Sequence, residues 1–117
     1  MTVNFCSYNC RGWRSGSHYV SSLLNSVDFL FVQEHWLLPE LLGALDISDE
    51  FVSVSVSGID NSEILAGRPY GGCGIMFRKS LSSAVCRLKS CSKRFCALSL
   101  ILTDTLNDCS FIILLVI

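Results

Sequence analysis

Two short apolar runs, residues 3–8 (Val-Asn-Phe-Cys-Ser-Tyr) and 28–33 (Asp-Phe-Leu-Phe-Val-Gln), flank a stretch with a helical repeat, and that order leaves few folds open. From His18 to Val27 the apolar residues fall at Tyr19, Val20, Leu23, Leu24 and Val27, one face of an α-helix, with Ser17 as its expected N-cap. A strand–helix–strand unit sets its two strands parallel in one sheet, joined by a right-handed crossover. The carboxyl ends of such strands form the rim where open α/β sheets build ligand sites. Asn9 follows the first run directly and Glu34 the second, so the unit is expected to bring both polar side chains to one rim. Residues 28–33 are apolar on both faces, as in a central strand covered from both sides. Cys10–Ser17, with two Gly and two Arg, reads as a polar loop.

The pattern then recurs. Leu37, Leu38, Leu41, Leu42 and Leu45 repeat the helical spacing, with Pro39 in the first turn where its missing N–H does no harm, and the leucine stripe is expected in the core. Residues 51–57 (Phe-Val-Ser-Val-Ser-Val-Ser) alternate as a half-exposed strand does. Residues 58–71 form a polar stretch containing Asp60, Asn61, Gly67 and Pro69. Beyond it the helical period vanishes, and 72–79, 84–88, 95–103 and 110–117 read as four strands. The expected class is α+β in one domain spanning residues 1–117: β-α-β-α-β followed by a β-meander.

Half of the 117 residues are hydrophobic, enough to build a core and unlike a disordered chain. The net charge of −1 excludes no partner, but the charges are segregated. Residues 28–63 hold eight acids and no Lys or Arg, whereas residues 64–103 hold seven Lys or Arg and no acid. A basic 68–94 region is one candidate surface for a phosphate backbone, and a solvated sheet face explains it equally well. The seven cysteines are odd in number, and several sit inside apolar runs. None shows Cys-x-x-Cys spacing, and neither His18 nor His35 completes a zinc pattern. The reading is of reduced thiols with no disulfide partner in an intracellular protein, the nucleus being one compartment open to it. No basic-then-apolar leader is visible at the N-terminus. The apolar 111–117 run is far short of the roughly 20 residues needed to span a bilayer, so no membrane is expected.

Three segments occur in order at suitable spacing: Ser7-Tyr8-Asn9-Cys10-Arg11-Gly12, Phe31-Val32-Gln33-Glu34-His35-Trp36-Leu37, and Tyr70-Gly71-Gly72-Cys73-Gly74-Ile75-Met76-Phe77-Arg78-Lys79. Together they resemble the N-terminal half of the apurinic-type endonuclease domain of LINE-type (non-LTR) retrotransposons, a branch of the endonuclease/exonuclease/phosphatase superfamily. The resemblance covers essentially the whole chain. It implies a four-layer α/β sandwich, of which this chain would hold an incomplete part, and an activity that nicks DNA with Mg²⁺. It also implies that Glu34 ligates Mg²⁺, that Asn9 hydrogen-bonds within the catalytic site, and that DNA is the partner. Arg11 and Arg14 are candidate phosphate contacts. Arg11 is a departure from those nucleases of the wider superfamily that carry an acid two residues after the asparagine, although retrotransposon members tolerate other residues there.

By the same resemblance, residues 110–117 match the strand that precedes the family's tyrosine. That tyrosine, an Asp-x-Asn pair and a terminal Asp-His pair are not matched, and Tyr70, His18 and His35 do not stand at their positions. The expectation is therefore a truncated, inactive piece of a Mg²⁺-dependent endonuclease. The alternative is a non-catalytic remnant or a small nucleic-acid-binding module using the basic 68–94 region. Trp36 and His35 are expected to serve loop packing rather than catalysis.

Overall fold

The computed structural model describes residues 2–59, 70–88, 94–103 and 108–116, with side chains described as far as Ile101. The chain runs β1 (Phe5–Asn9), α1 (Trp13–Leu23), β2 (Phe29–Gln33), a 3-10 segment (Pro39–Leu45), β3 (Phe51–Val56) and β4 (Cys73–Arg78). A second 3-10 segment (Lys79–Ala84) leads to β5 (Val85–Leu88), β6 (Phe95–Thr103) and β7 (Asp108–Val116). The class is mixed α+β, as the residue pattern predicts.

Two sheets result. In the first the order is β1-β2-β4-β3, with β1 and β2 parallel and β4 antiparallel to both β2 and β3. In the second, β5, β6 and β7 form an antiparallel meander. The expected four-strand meander is thus corrected to three. Its first member, β4, inserts between β2 and β3, because Cys73, Ile75 and Phe77 on one face and Met76 on the other are all buried, which only an interior strand achieves.

The period-2 alternation of each strand sorts its side chains between two cores. Leu30 and Val32 of β2, Met76 of β4 and Phe51 of β3 face a layer made by Trp13, Val20 and Leu24 of the α1 region, with Val27 and Leu45. Phe29, Val54, Cys73, Ile75 and Phe77 face the other way and meet Cys96, Leu98 and Leu100 of β6. Helix, sheet and sheet are therefore stacked in three layers. Val52, Val54 and Val56 point to the seam between sheets while Ser53 turns away, where its hydroxyl donates to Asp46 at 2.6 Å. That is the half-exposed strand expected at 51–57.

Two helical expectations are corrected. The helix begins at Trp13, inside the stretch read as a loop, and its N-cap is Gly12 with no side-chain hydrogen bond, not Ser17. Trp13, Gly16 and Val20 are its buried residues, and Gly16 rests directly on the Cys10 backbone, where a β-carbon would collide. The leucine stripe is not a core helix either. Pro39–Leu45 is 3-10, with three residues per turn, so the i, i+4 stripe does not stay on one side. Leu45 is buried, whereas Leu41 is 51% exposed.

Of the basic residues, Arg68, Lys89 and Lys93 lie outside the described residues, as does most of the polar 58–71 stretch. Arg78 donates through Nε to Asp28 at 3.0 Å and through Nη2 to the Leu24 carbonyl, approaches Glu50 at 3.8 Å, and lies 4.9 Å over the Phe51 ring. It ties the β2 and β4 ends to the helical layer. Among the described residues no helix is long and apolar enough to cross a membrane.

Candidate functional site

β1 and β2 pair in parallel register from Phe5 with Phe29 to Asn9 with Gln33, so their carboxyl ends share one rim. The strand expectation for this unit holds. Past the strands the two chains stay joined: Cys10 N–H donates to the Gln33 carbonyl at 3.1 Å, Gly12 N–H to that of Glu34 at 2.8 Å, and Trp13 N–H to that of His35 at 2.8 Å. From the other flank, Trp36 N–H donates to the Gly71 carbonyl at 2.9 Å and His35 N–H to that of Gly72 at 3.4 Å. The Glu34–Trp36 turn is thereby fastened between the start of α1 and the Gly71-Gly72 approach to β4.

The backbone of this rim is unusual. Among the described residues, the non-glycine residues with positive φ are Arg11 (46°), Glu34 (53°) and Trp36 (60°), and all three lie here beside Gly12, Gly71 and Gly72, which share that conformation. An L-residue held left-handed costs roughly 1–2 kcal/mol. Such strain persists only where the surroundings impose it, and it clusters at functional sites. Here the imposing contacts are visible. The Trp36 ring lies against Gly12, where a β-carbon would come 2.6 Å from Cε3. The Cys10 thiol is buried and donates to the Gln33 and Glu34 carbonyls, each at 3.4 Å, and burial pushes it up to about 11.

His35 is the keystone of the turn. It is 1% exposed, its Nε2 lies 2.9 Å from the Val56 carbonyl, and its Nδ1 accepts from Leu37 N–H at 2.9 Å. Both ring nitrogens are satisfied by the neutral tautomer with the proton on Nε2. Burial lowers its pKa, against the hydrogen bonding of the Val56 and Cys73 backbones. His35 is thus a packing residue that joins the rim to β3.

The candidate polar residues are arranged around this frame. Asn9 is exposed, and its Oδ1 accepts from Arg11 N–H at 3.1 Å, the Asx turn that admits the left-handed Arg11. Next to it Gln33 donates through Nε2 to Ser7 Oγ at 2.8 Å. Glu34 is half-buried, and among the described residues its carboxylate has no hydrogen-bond or ion-pair partner. Arg11 and Arg14 are both exposed, one in the turn and one in the first turn of α1. The structure therefore gathers the backbones of Asn9, Arg11, Arg14 and Glu34 at one rim. His18, in the middle of α1, and Tyr70, just before Gly71, are both exposed.

Among the described residues no three His, Cys, Asp or Glu side chains converge as a metal cluster. The oxygen donors that the candidate residues bring to the rim are the Glu34 carboxylate and the Asn9 Oδ1, the latter already accepting from Arg11 N–H. The bracing residues Cys10, Gly12, His35 and Gly72 were not singled out as a set from sequence. The signal was the Gly71-Gly72 doublet together with Gly12 immediately before a helix-spaced Trp13/Gly16/Val20 set. No family model, no curated protein and no solved structure matches this chain.

Proposed function

We propose that the rim carrying Asn9 and Glu34 is the phosphodiester-facing part of a Mg²⁺-dependent DNA endonuclease site, of the LINE-type apurinic-like kind that the three motifs resemble. The observation that carries this reading is Glu34. Its backbone is held left-handed by neighbours on both flanks, while among the described residues its carboxylate has no hydrogen-bond or ion-pair partner at the carboxyl ends of two parallel strands. In that setting Glu34 would hold the cation, and Asn9, with Oδ1 engaged by the turn, would present its amide toward the substrate. Bound Mg²⁺ would neutralise a phosphate oxygen during in-line displacement. Arg11 and Arg14 stand where a phosphate backbone would run. The three-layer arrangement is compatible with an incomplete four-layer sandwich of that superfamily.

These residues supply neither a general base for the attacking water nor a donor for the leaving oxygen. Loss of one such group costs several kcal/mol and the effects within a site are far from additive, so the 117-residue chain alone is inactive in this reading. The competing reading, a non-catalytic nucleic-acid-binding module on the 68–94 region, is weakened by Arg78, whose guanidinium is engaged by Asp28, Glu50 and Phe51.

The test is a Mg²⁺ titration of the ¹⁵N-labelled chain followed by NMR, with plasmid relaxation measured in parallel. Saturable shifts centred on Asn9 and residues 33–36, lost in Glu34→Gln, with no relaxation of supercoiled DNA, are expected. Shifts centred on Asp46, Asp49 and Glu50, or relaxation that survives Glu34→Ala, would overturn the proposal.

A further inference from the structure

The seam between the two sheets contains a pair of thiols from different sheets. Cys73 opens β4 and Cys96 stands second in β6, and their sulfurs lie 4.0 Å apart with the residues 0% and 1% exposed. Cys73 Sγ also lies 3.8 Å from the Arg94 carbonyl, and Cys96 Sγ lies 3.7 Å from the Val54 carbonyl, so each sulfur is anchored near the other by backbone of the facing sheet. Both lie in the apolar cluster between the sheets, so small, neutral hydrogen peroxide reaches them when the seam opens locally.

We propose that Cys73 and Cys96 are an oxidation site, closing to an inter-sheet disulfide when the chain meets a peroxide. A disulfide needs the sulfurs at about 2.05 Å, so each must move by roughly 1 Å, a displacement within reach of side-chain torsions and slight strand adjustment. The chemistry favours an ordered reaction. The Cys96 thiol hydrogen-bonds to Cys73 and holds its pKa below the ordinary thiol value, while the same contact and burial push Cys96 up. Cys73 is therefore the attacking thiolate. It displaces hydroxide from hydrogen peroxide and becomes a sulfenic acid. The proton that Cys73 released on ionising neutralises that hydroxide to the first water. The Cys96 sulfur then attacks the Cys73 sulfur, the S–O bond breaks, and the departing hydroxide takes the Cys96 proton as the second water, so two thiols and one peroxide yield one disulfide and two waters.

The bond would close a loop of more than twenty residues and pin the two sheets together. It would also reach the rim, because Cys73 directly follows Gly72, whose α-carbon lies against His35. This inference stands independently of the proposed function.

The experiment treats the full chain with hydrogen peroxide under native conditions, blocks remaining thiols with N-ethylmaleimide, and assigns cross-linked cysteines by tandem mass spectrometry. Melting curves are recorded before and after, and again after dithiothreitol. Expected are a dominant Cys73–Cys96 cross-link and a melting midpoint raised by about 10 °C that dithiothreitol reverses. Cys73→Ser and Cys96→Ser should each abolish the shift. Recovery of Cys73 and Cys96 as maleimide adducts, as sulfinic acids, or bonded to other cysteines while peroxide is consumed would overturn the proposal. The mapping is done on the unmodified chain, so it decides the matter even if a serine variant fails to fold.

Discussion

The ring of His35 fills the space in which a side chain at position 72 would stand. A β-carbon on Gly72 would overlap the imidazole, coming 2.6 Å from Nδ1 and 2.7 Å from Nε2, and Gly72 has φ of +89°. The ring cannot swing aside without giving up its hydrogen bonds to Val56 and Leu37. Gly72→Ala is therefore expected to destabilise the fold by about 3 kcal/mol, the sum of overpacking and a left-handed alanine. Gly71→Ala is the control: its nearest neighbour would be the Gly58 α-carbon at 3.4 Å, so it should lose only about 1 kcal/mol. Urea denaturation of the two variants checks the difference. Equal losses would show that the His35 contact does not govern.

The pH dependence of stability follows from the same ring. Burial lowers the folded-state pKa of His35 below its ordinary 6.5, so the unfolded chain takes up a proton first as the solution is acidified. The contribution of neutral His35 is fully present above pH 6.5 and is lost as pH falls through the folded value. Denaturation midpoints taken between pH 8 and 5 should decline, and His35→Gln should flatten that decline whatever it does to stability at pH 8. An unchanged slope in the variant would refute the assignment.

Glu34 sits in a conformation that glycine adopts without strain. Glu34→Gly should be more stable than Glu34→Ala by about 1 kcal/mol, since only the alanine keeps the left-handed penalty. Both should lose any response to Mg²⁺. Paired chemical denaturation curves distinguish this from an unstrained site, in which the glycine variant would be the weaker of the two.

Cysteine reactivity should divide by environment. Cys86 is exposed, whereas Cys10 is buried, donates to two carbonyls and is pushed up to about 11. At pH 8 roughly one Cys10 in a thousand would be thiolate even with access, so iodoacetamide should label Cys86 well before Cys10. Time-resolved mass spectrometry of the native chain gives the order directly.

Much of the first sheet could be read from the chain because β1, β2 and β3 are punctuated by polar residues and carry clear apolar patterns. The start of α1 was hidden, because Gly12 and Gly16 look like loop residues until Gly16 is seen lying on the Cys10 backbone. The leucine repeat at 37–45 misled for the opposite reason: the spacing is helical, but a 3-10 path does not keep it on one face. The interior position of β4 depends on pairings dozens of residues apart, which local pattern does not encode. Of the candidate site, Asn9 and Glu34 were legible as polar residues ending apolar runs. His35 and Trp36 were legible as loop packing, but the left-handed turn they brace with Gly12 and Gly72 was not, since the positive backbone angles at Arg11, Glu34 and Trp36 follow from tertiary contacts.

The insertion of β4 between β2 and β3 sets the order in which this protein can be assembled. On a ribosome, β2 and β3 emerge with no partner for their facing edges until residues 73–78 have been made, and the β5–β7 meander comes later still. The first sheet cannot close progressively from its N-terminal end as a local hairpin would. Non-local pairing of this kind slows folding and lengthens the time that strand edges stay open. For a nascent chain carrying Phe29, Leu30, Phe31 and Val32 on such an edge, the interval before β4 arrives is the period of greatest dependence on chaperones.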